Sequence, residues 1–84
     1  MYLIVYDISD SRRLQKMAKT LESYGVRVQN STFEADLTNR VFKELKRKIR
    51  ELIEPEEDRV FIFKFDDEKQ DKKSNRREVW EMVV

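Results

Sequence analysis

Val26-Arg27-Val28-Gln29-Asn30-Ser31-Thr32-Phe33-Glu34-Ala35 is the stretch on which the fold turns. It reads as extended chain, but its alternation changes phase: Val26 and Val28 share one parity, Phe33 and Ala35 the other. A one-residue slip sends half of a strand's apolar set to the wrong face. The stretch therefore reads as two strands, broken or bulged near Asn30-Ser31.

Working outward toward the N-terminus, Tyr2-Leu3-Ile4-Val5-Tyr6-Asp7-Ile8 reads as a buried strand, rich in β-branched and aromatic residues. Ser9, Asp10 and Ser11 are each capable of capping a helix, which should run over residues 11–24. On it Leu14, Met17, Ala18 and Leu21 cluster on one side, with Arg12, Lys16 and Lys19 opposite. Gly25 then ends the helix, in the manner of a left-handed C-cap residue. Toward the C-terminus, Thr38 can cap a second helix over residues 39–53. Val41, Phe42, Leu45, Ile49, Leu52 and Ile53 form its apolar arc, and Lys43, Lys46, Arg47 and Arg50 its basic one. Pro55 closes that helix, and Glu56-Glu57-Asp58 make an acidic turn.

A third strand over residues 59–65 has Phe61, Phe63 and Phe65 on one side and Val60 and Ile62 on the other, so both of its faces must be covered. Residues 66–76 contain no apolar side chain and read as a charged linker. The terminal stretch Val79-Trp80-Glu81-Met82-Val83-Val84 reads as a last strand that needs a sheet edge, and the partner subunit's edge is the expected one. The element order is that of an α+β fold, the ferredoxin-like βαββαβ unit. Residues 1–65 form the domain, 66–76 the linker and 77–84 a strand for dimerisation.

Composition narrows the chemistry. With no His and no Cys among 84 residues, imidazole bases, thiolate nucleophiles and zinc sites built on either are excluded. A chain this short buries only about 60–65% of its unfolded surface, which makes its core marginal alone and a homodimer the expected support. No apolar run approaches the roughly 18 residues of a membrane span, and none resembles a signal peptide, so a cytoplasmic protein is expected. Charged residues make up 42% of the chain, and the balance is uneven. Residues 1–53 carry 11 Lys/Arg against 7 Asp/Glu, whereas residues 54–84 carry 7 against 10. A basic body of this kind suits phosphate-bearing partners.

Asp7 stands out because a carboxylate inside a buried strand is costly unless a cation or donors satisfy it. It either accepts donors from the Ser9-Asp10-Ser11 turn, pairs with an Arg, or holds a metal ion. Any enzyme made from this chain must work with carboxylates, hydroxyls, cations and a hard metal ion.

The string Tyr6-Asp7-Ile8-Ser9-Asp10, followed by Arg13 and Lys16 and then by Tyr24-Gly25-Val26-Arg27-Val28-Gln29-Asn30-Ser31-Thr32-Phe33-Glu34, resembles one family. That family is the second of the two core CRISPR adaptation proteins, a small CRISPR-associated nuclease. The resemblance covers residues 1–65 well and the C-terminal tail loosely. It is the combination of Tyr-Asp with Gly-x-Arg-x-Gln-x-Ser-x-Phe-Glu about 18 residues later that is specific. The resemblance implies a ferredoxin-like homodimer whose sheets face one another, with Asp7 of each subunit at the twofold axis binding a divalent metal, Mg²⁺ or Mn²⁺. It further implies a metal-dependent endonuclease acting on RNA or double-stranded DNA, which also bridges subunits of the CRISPR adaptation integrase. The rival reading is a non-catalytic DNA-binding scaffold.

The remaining candidates each admit a plainer role. Helix capping accounts for Ser9 and Asp10, with a secondary metal-ligand role for Asp10 as the alternative. Arg13 positions phosphate or forms an ion pair, and Lys16 belongs to the solvent stripe unless it meets a phosphate. Arg27 matches the family's motif arginine and is a phosphate-binding candidate. Phe33 reads as core or interface before base stacking, and Tyr6 should face away from Asp7. The basic arc of the second helix is either a solubilising face or a DNA track that contacts phosphates without reading bases.

Overall fold

The computed structural model describes residues 1–66 and, by their backbone, residues 77–82. Its elements are β1 (Tyr2–Asp7), α1 (Ser11–Glu22), β2 (Val26–Gln29), β3 (Thr32–Ala35), α2 (Asn39–Leu52), β4 (Arg59–Asp66) and β5 (Arg77–Met82). They form one antiparallel sheet in the order β2-β3-β1-β4-β5. The first four strands are the ferredoxin-like arrangement expected from the sequence. Residues 67–76, most of the expected linker, and Val83-Val84 lie outside the described residues.

The break in the diagnostic stretch is where its phase change requires it. Arg27 pairs with Phe33 and Gln29 with Thr32, so Val28 is the extra residue of a bulge, and Asn30-Ser31 form the turn. The bulge lets Val26 and Val28 remain exposed while Phe33 and Ala35 enter the core.

Both helices cover one face of the sheet. Tyr2, Ile4 and Tyr6 of β1, Phe33 of β3, and Val60 and Ile62 of β4 meet Met17 and Leu21 of α1 and Phe42, Leu45 and Ile49 of α2. Tyr2 stacks on Phe42 with ring centroids 3.9 Å apart. Thr38 caps α2 by accepting from the Val41 N–H. For α1 the cap is Asp10, which accepts from the Arg13 N–H at 3.0 Å.

Two details differ from the sequence reading. α1 ends at Glu22, and Gly25 lies outside the left-handed region. A Cβ there would collide with the Glu34 carbonyl of β3, so close backbone approach is what requires glycine. The last strand, expected on a partner's sheet, runs instead along β4 of its own chain, with Phe61 opposite Met82 and Phe65 opposite Glu78.

The opposite face of the sheet carries no helix among the described residues. Leu3 and Val5 of β1 lie there with Phe61, Phe63 and Phe65 of β4, all half-buried. No helix among the described residues is long and apolar enough to cross a membrane.

Candidate functional site

Asp7 is the last residue of β1, opposite Arg59 at the start of β4. Strand alternation places it on the helix-free face with Leu3 and Val5, while Tyr6 points into the core. Asp7 is exposed, which corrects the expectation of a buried carboxylate: the apolar run ends with it at the rim of the sheet. The cost of burial therefore does not mark this residue. The carboxylate has no hydrogen-bond or ion-pair partner among the described residues, and what sets it apart is its place at the rim of the helix-free apolar face. Its cross-strand neighbour is engaged elsewhere, since Arg59 donates to the Pro55 and Asp58 carbonyls.

The turn that leaves Asp7 is fastened from below by Asp58, a residue the sequence reading treated only as part of an acidic turn. Asp58 is 0% exposed. Its carboxylate accepts from the Ser9 N–H at 3.1 Å, from Arg13 Nε at 2.8 Å and from the Glu54 N–H at 2.8 Å. Ser9 Oγ donates to the Glu57 carbonyl, and Arg13 also bonds Glu57 Oε1 at 3.0 Å. Burial by itself would push the Asp58 carboxyl up. Arg13 and the two backbone donors more than offset this and hold it down to about 2. The same bonds raise Arg13 above the usual arginine range. Asp58 thus locks the β1–α1 turn to the α2–β4 turn, and with them the backbone that presents Asp7.

The other candidates are dispersed. Arg13 has its donors on Asp58 and Glu57, Ser9 is tied to Asp58, and Asp10 caps α1. Lys16 is exposed on α1. Arg27 and Phe33 sit on the helix side of the sheet, away from Asp7, with the guanidinium 5.4 Å from the Phe33 ring centroid. Phe33 is fully buried, a core residue and no stacking platform. Among the described residues no three His, Cys, Asp or Glu side chains gather as a metal site. Among the described residues, Asp7 is the carboxylate at the rim of the helix-free face, and a hard divalent ion that keeps most of its waters fits one or two such carboxylates.

Residues 1–73 match the sequence family described as CRISPR associated protein Cas2. The chain belongs to the Cas2 family. It is 50% identical over 63 residues to a protein of Synechocystis sp. named CRISPR-associated endoribonuclease Cas2 3, a match spanning 75% of this chain and 68% of that one. A Chloroflexus aurantiacus protein named CRISPR-associated endoribonuclease Cas2 1 is 48% identical over 64 residues, 75% of this chain and 69% of its own. Among solved structures, Streptococcus pyogenes Cas2 at pH 6.5 superposes with a TM-score of 0.74 at 30% identity, covering 82% of this chain and 89% of that one. Cas2 membership agrees with the βαββαβ order. Sequence reasoning missed Asp58, whose partners Arg13 and Ser9 are distant in the chain. The only signal for it was an Asp immediately before a strand that opens with Arg59.

Proposed function

We propose that this Cas2 protein is a metal-dependent endonuclease of CRISPR adaptation, hydrolysing phosphodiester bonds of RNA or double-stranded DNA as a homodimer. The observation that carries the reading is the Asp7 carboxylate, without a partner among the described residues, at the rim of an apolar sheet face that no described helix covers. A second copy laid on that face buries Leu3, Val5 and the β4 phenylalanines and brings two Asp7 side chains toward one another. Two adjacent carboxylates hold their charge best with a cation between them. Asp7 of each subunit would hold Mg²⁺ or Mn²⁺. Such an ion neutralises charge on a scissile phosphate and acidifies a bound water. The chain's own part is to hold the carboxylates at the axis, which the Asp58 clamp does by fixing the turn after Asp7. The nuclease names of the relatives support the reaction class.

A second reading has an observation of its own. One carboxylate per chain is sparse equipment for catalysis, whereas Lys43, Arg47 and Arg50 form an exposed basic face on α2. A dimeric scaffold that grips duplex DNA through such faces and joins integrase subunits needs no turnover. The discriminating experiment measures cleavage and DNA affinity together, for wild type and Asp7→Ala with Mg²⁺, Mn²⁺ or EDTA. Metal-dependent cleavage lost on substitution while binding persists supports the nuclease; binding without Asp7-dependent cleavage supports the scaffold.

A further inference from the structure

Asp7 and Arg59 stand directly opposite one another where β1 ends and β4 begins. Opposed residues of an antiparallel pair share a face, with Cβ atoms about 4.5–5.5 Å apart, and opposite charges so placed attract across the strands. These two are both exposed and form no ion pair. The Arg59 guanidinium is turned along its own chain instead. Its Nη1 donates to the Asp58 carbonyl at 2.9 Å and to the Pro55 carbonyl at 3.3 Å.

A guanidinium has five N–H donors, two of them on Nη1. Both Nη1 donors are thereby used, whereas Nε and Nη2 bond to no described residue. The Nε–Nη2 edge is a planar fork that matches two oxygens of a phosphate with parallel bonds. The two carbonyl contacts also orient the side chain, so less rotamer freedom remains to be lost on binding. Asp58 ties the pair together: its carboxylate accepts from the Ser9 N–H in the turn after Asp7, and its carbonyl accepts from Arg59. The Glu57 and Asp58 carboxylates of the preceding turn are themselves drawn to Arg13. Capping two carbonyls accounts for Nη1 alone and leaves the second edge of the guanidinium open opposite Asp7.

We propose that Arg59 is a phosphate-binding residue of the Asp7 rim, its Nε–Nη2 edge donating two hydrogen bonds to the non-bridging oxygens of a phosphodiester in an RNA or DNA strand. The inference rests on the reading of Asp7 as the metal-bearing carboxylate, and it names the group that holds substrate beside it. The carboxylate takes the cation and the guanidinium takes the phosphate. That division of work requires that the two not neutralise one another, as the structure has it.

The test separates binding from cleavage. In EDTA, the affinity of the full chain for a short single-stranded RNA and a short duplex DNA is read by fluorescence anisotropy. The proteins are Asp7→Ala alone and Asp7→Ala combined with Arg59→Gln, Arg59→Lys or Lys19→Gln. Arg59→Gln should weaken binding by at least about tenfold, as loss of a charged hydrogen-bonded contact does. It should also flatten the salt dependence by about 0.7–0.9 per phosphate released. Arg59→Lys keeps the charge without the fork, so it should recover the salt slope and not the affinity. Lys19→Gln removes the same charge from α1, across the sheet, and should stay within about twofold. A loss for RNA alone assigns an RNA strand, and a loss for the duplex alone assigns DNA. Parental affinity in folded Arg59→Gln for both nucleic acids overturns the proposal, as does an equal loss in Lys19→Gln. If Arg59→Gln does not fold, parental affinity in Arg59→Lys overturns the forked contact. Failure of the metal reading shows separately, as cleavage by Asp7→Ala at the wild-type rate, and leaves the binding comparison intact.

Discussion

Arg13 Nε donates to Asp58 Oδ2 at 2.8 Å, joining the first turn of α1 to the residue before β4 across 45 positions of sequence. The acceptor is fully buried and the donor only 24% exposed, so this is an interior ion pair with the remaining carboxylate capacity taken by Ser9 and Glu54. Removing one member leaves donors without an acceptor. Asp58→Ala should therefore lower stability by about 3–5 kcal/mol, read as a drop in the urea midpoint. A loss below about 1 kcal/mol, the range of an exposed pair, would mean that the clamp is not structural.

The same carboxylate sets an acid limit. Its native value of about 2 lies below the ordinary 3.8, so it contributes stability above about pH 4 and loses it as pH falls through about 2. The contribution is on the order of 2 kcal/mol. Wild type should lose stability more steeply than Asp58→Asn between pH 4 and pH 2, as measured by urea unfolding at a series of pH values. Parallel curves would assign acid sensitivity to other groups.

Gly25→Ala should destabilise by about 1–3 kcal/mol, since the new methyl meets a backbone carbonyl of β3 that no rotamer change can move. Thermal unfolding reads this directly. An unchanged melting temperature would show that β2 and β3 can separate at Gly25 without cost.

Val5→Asp places a charge in the middle of the helix-free face while leaving the helix-side core intact. Sedimentation should show a monomer with an unchanged circular dichroism spectrum. A dimer that survives this substitution would assign the interface elsewhere.

DNA affinity should fall steeply with salt. Replacing Arg47 and Arg50 together by Gln should flatten that slope by about 0.9 for each phosphate the arginines had neutralised. A salt-independent affinity would remove α2 from the binding surface.

What was legible in the sequence was what periodicity controls. The arcs of both helices, the cap at Thr38 and the break near Asn30-Ser31 follow from local pattern, and each has its counterpart in the fold, whereas the bulge residue Val28 is seen only in the strand register. Asp7 was found by its position in an apolar run but misread as buried, because alternation gives the face of a residue and not its distance from the sheet's rim. Asp58 was hidden because nothing local distinguishes it from Glu56 and Glu57; its role exists only once β1–α1 and α2–β4 are adjacent. Gly25 was read through helix-ending habits, whereas the constraint comes from a neighbouring strand. The pairing of β5 with β4 of its own chain is not encoded in residue pattern, because an apolar strand fits any open sheet edge.

Whether Asp7 holds the metal at which phosphodiester hydrolysis occurs is tested most directly by cleavage of duplex DNA and single-stranded RNA. Wild type and Asp7→Ala are compared with Mg²⁺ or Mn²⁺ and with EDTA, at matched DNA affinity. Wild type should cleave in a reaction that EDTA abolishes. Asp7→Ala should lose at least about a hundredfold in rate with binding retained, the scale of losing a group that stabilises the transition state. Cleavage by Asp7→Ala at the wild-type rate would contradict the assignment.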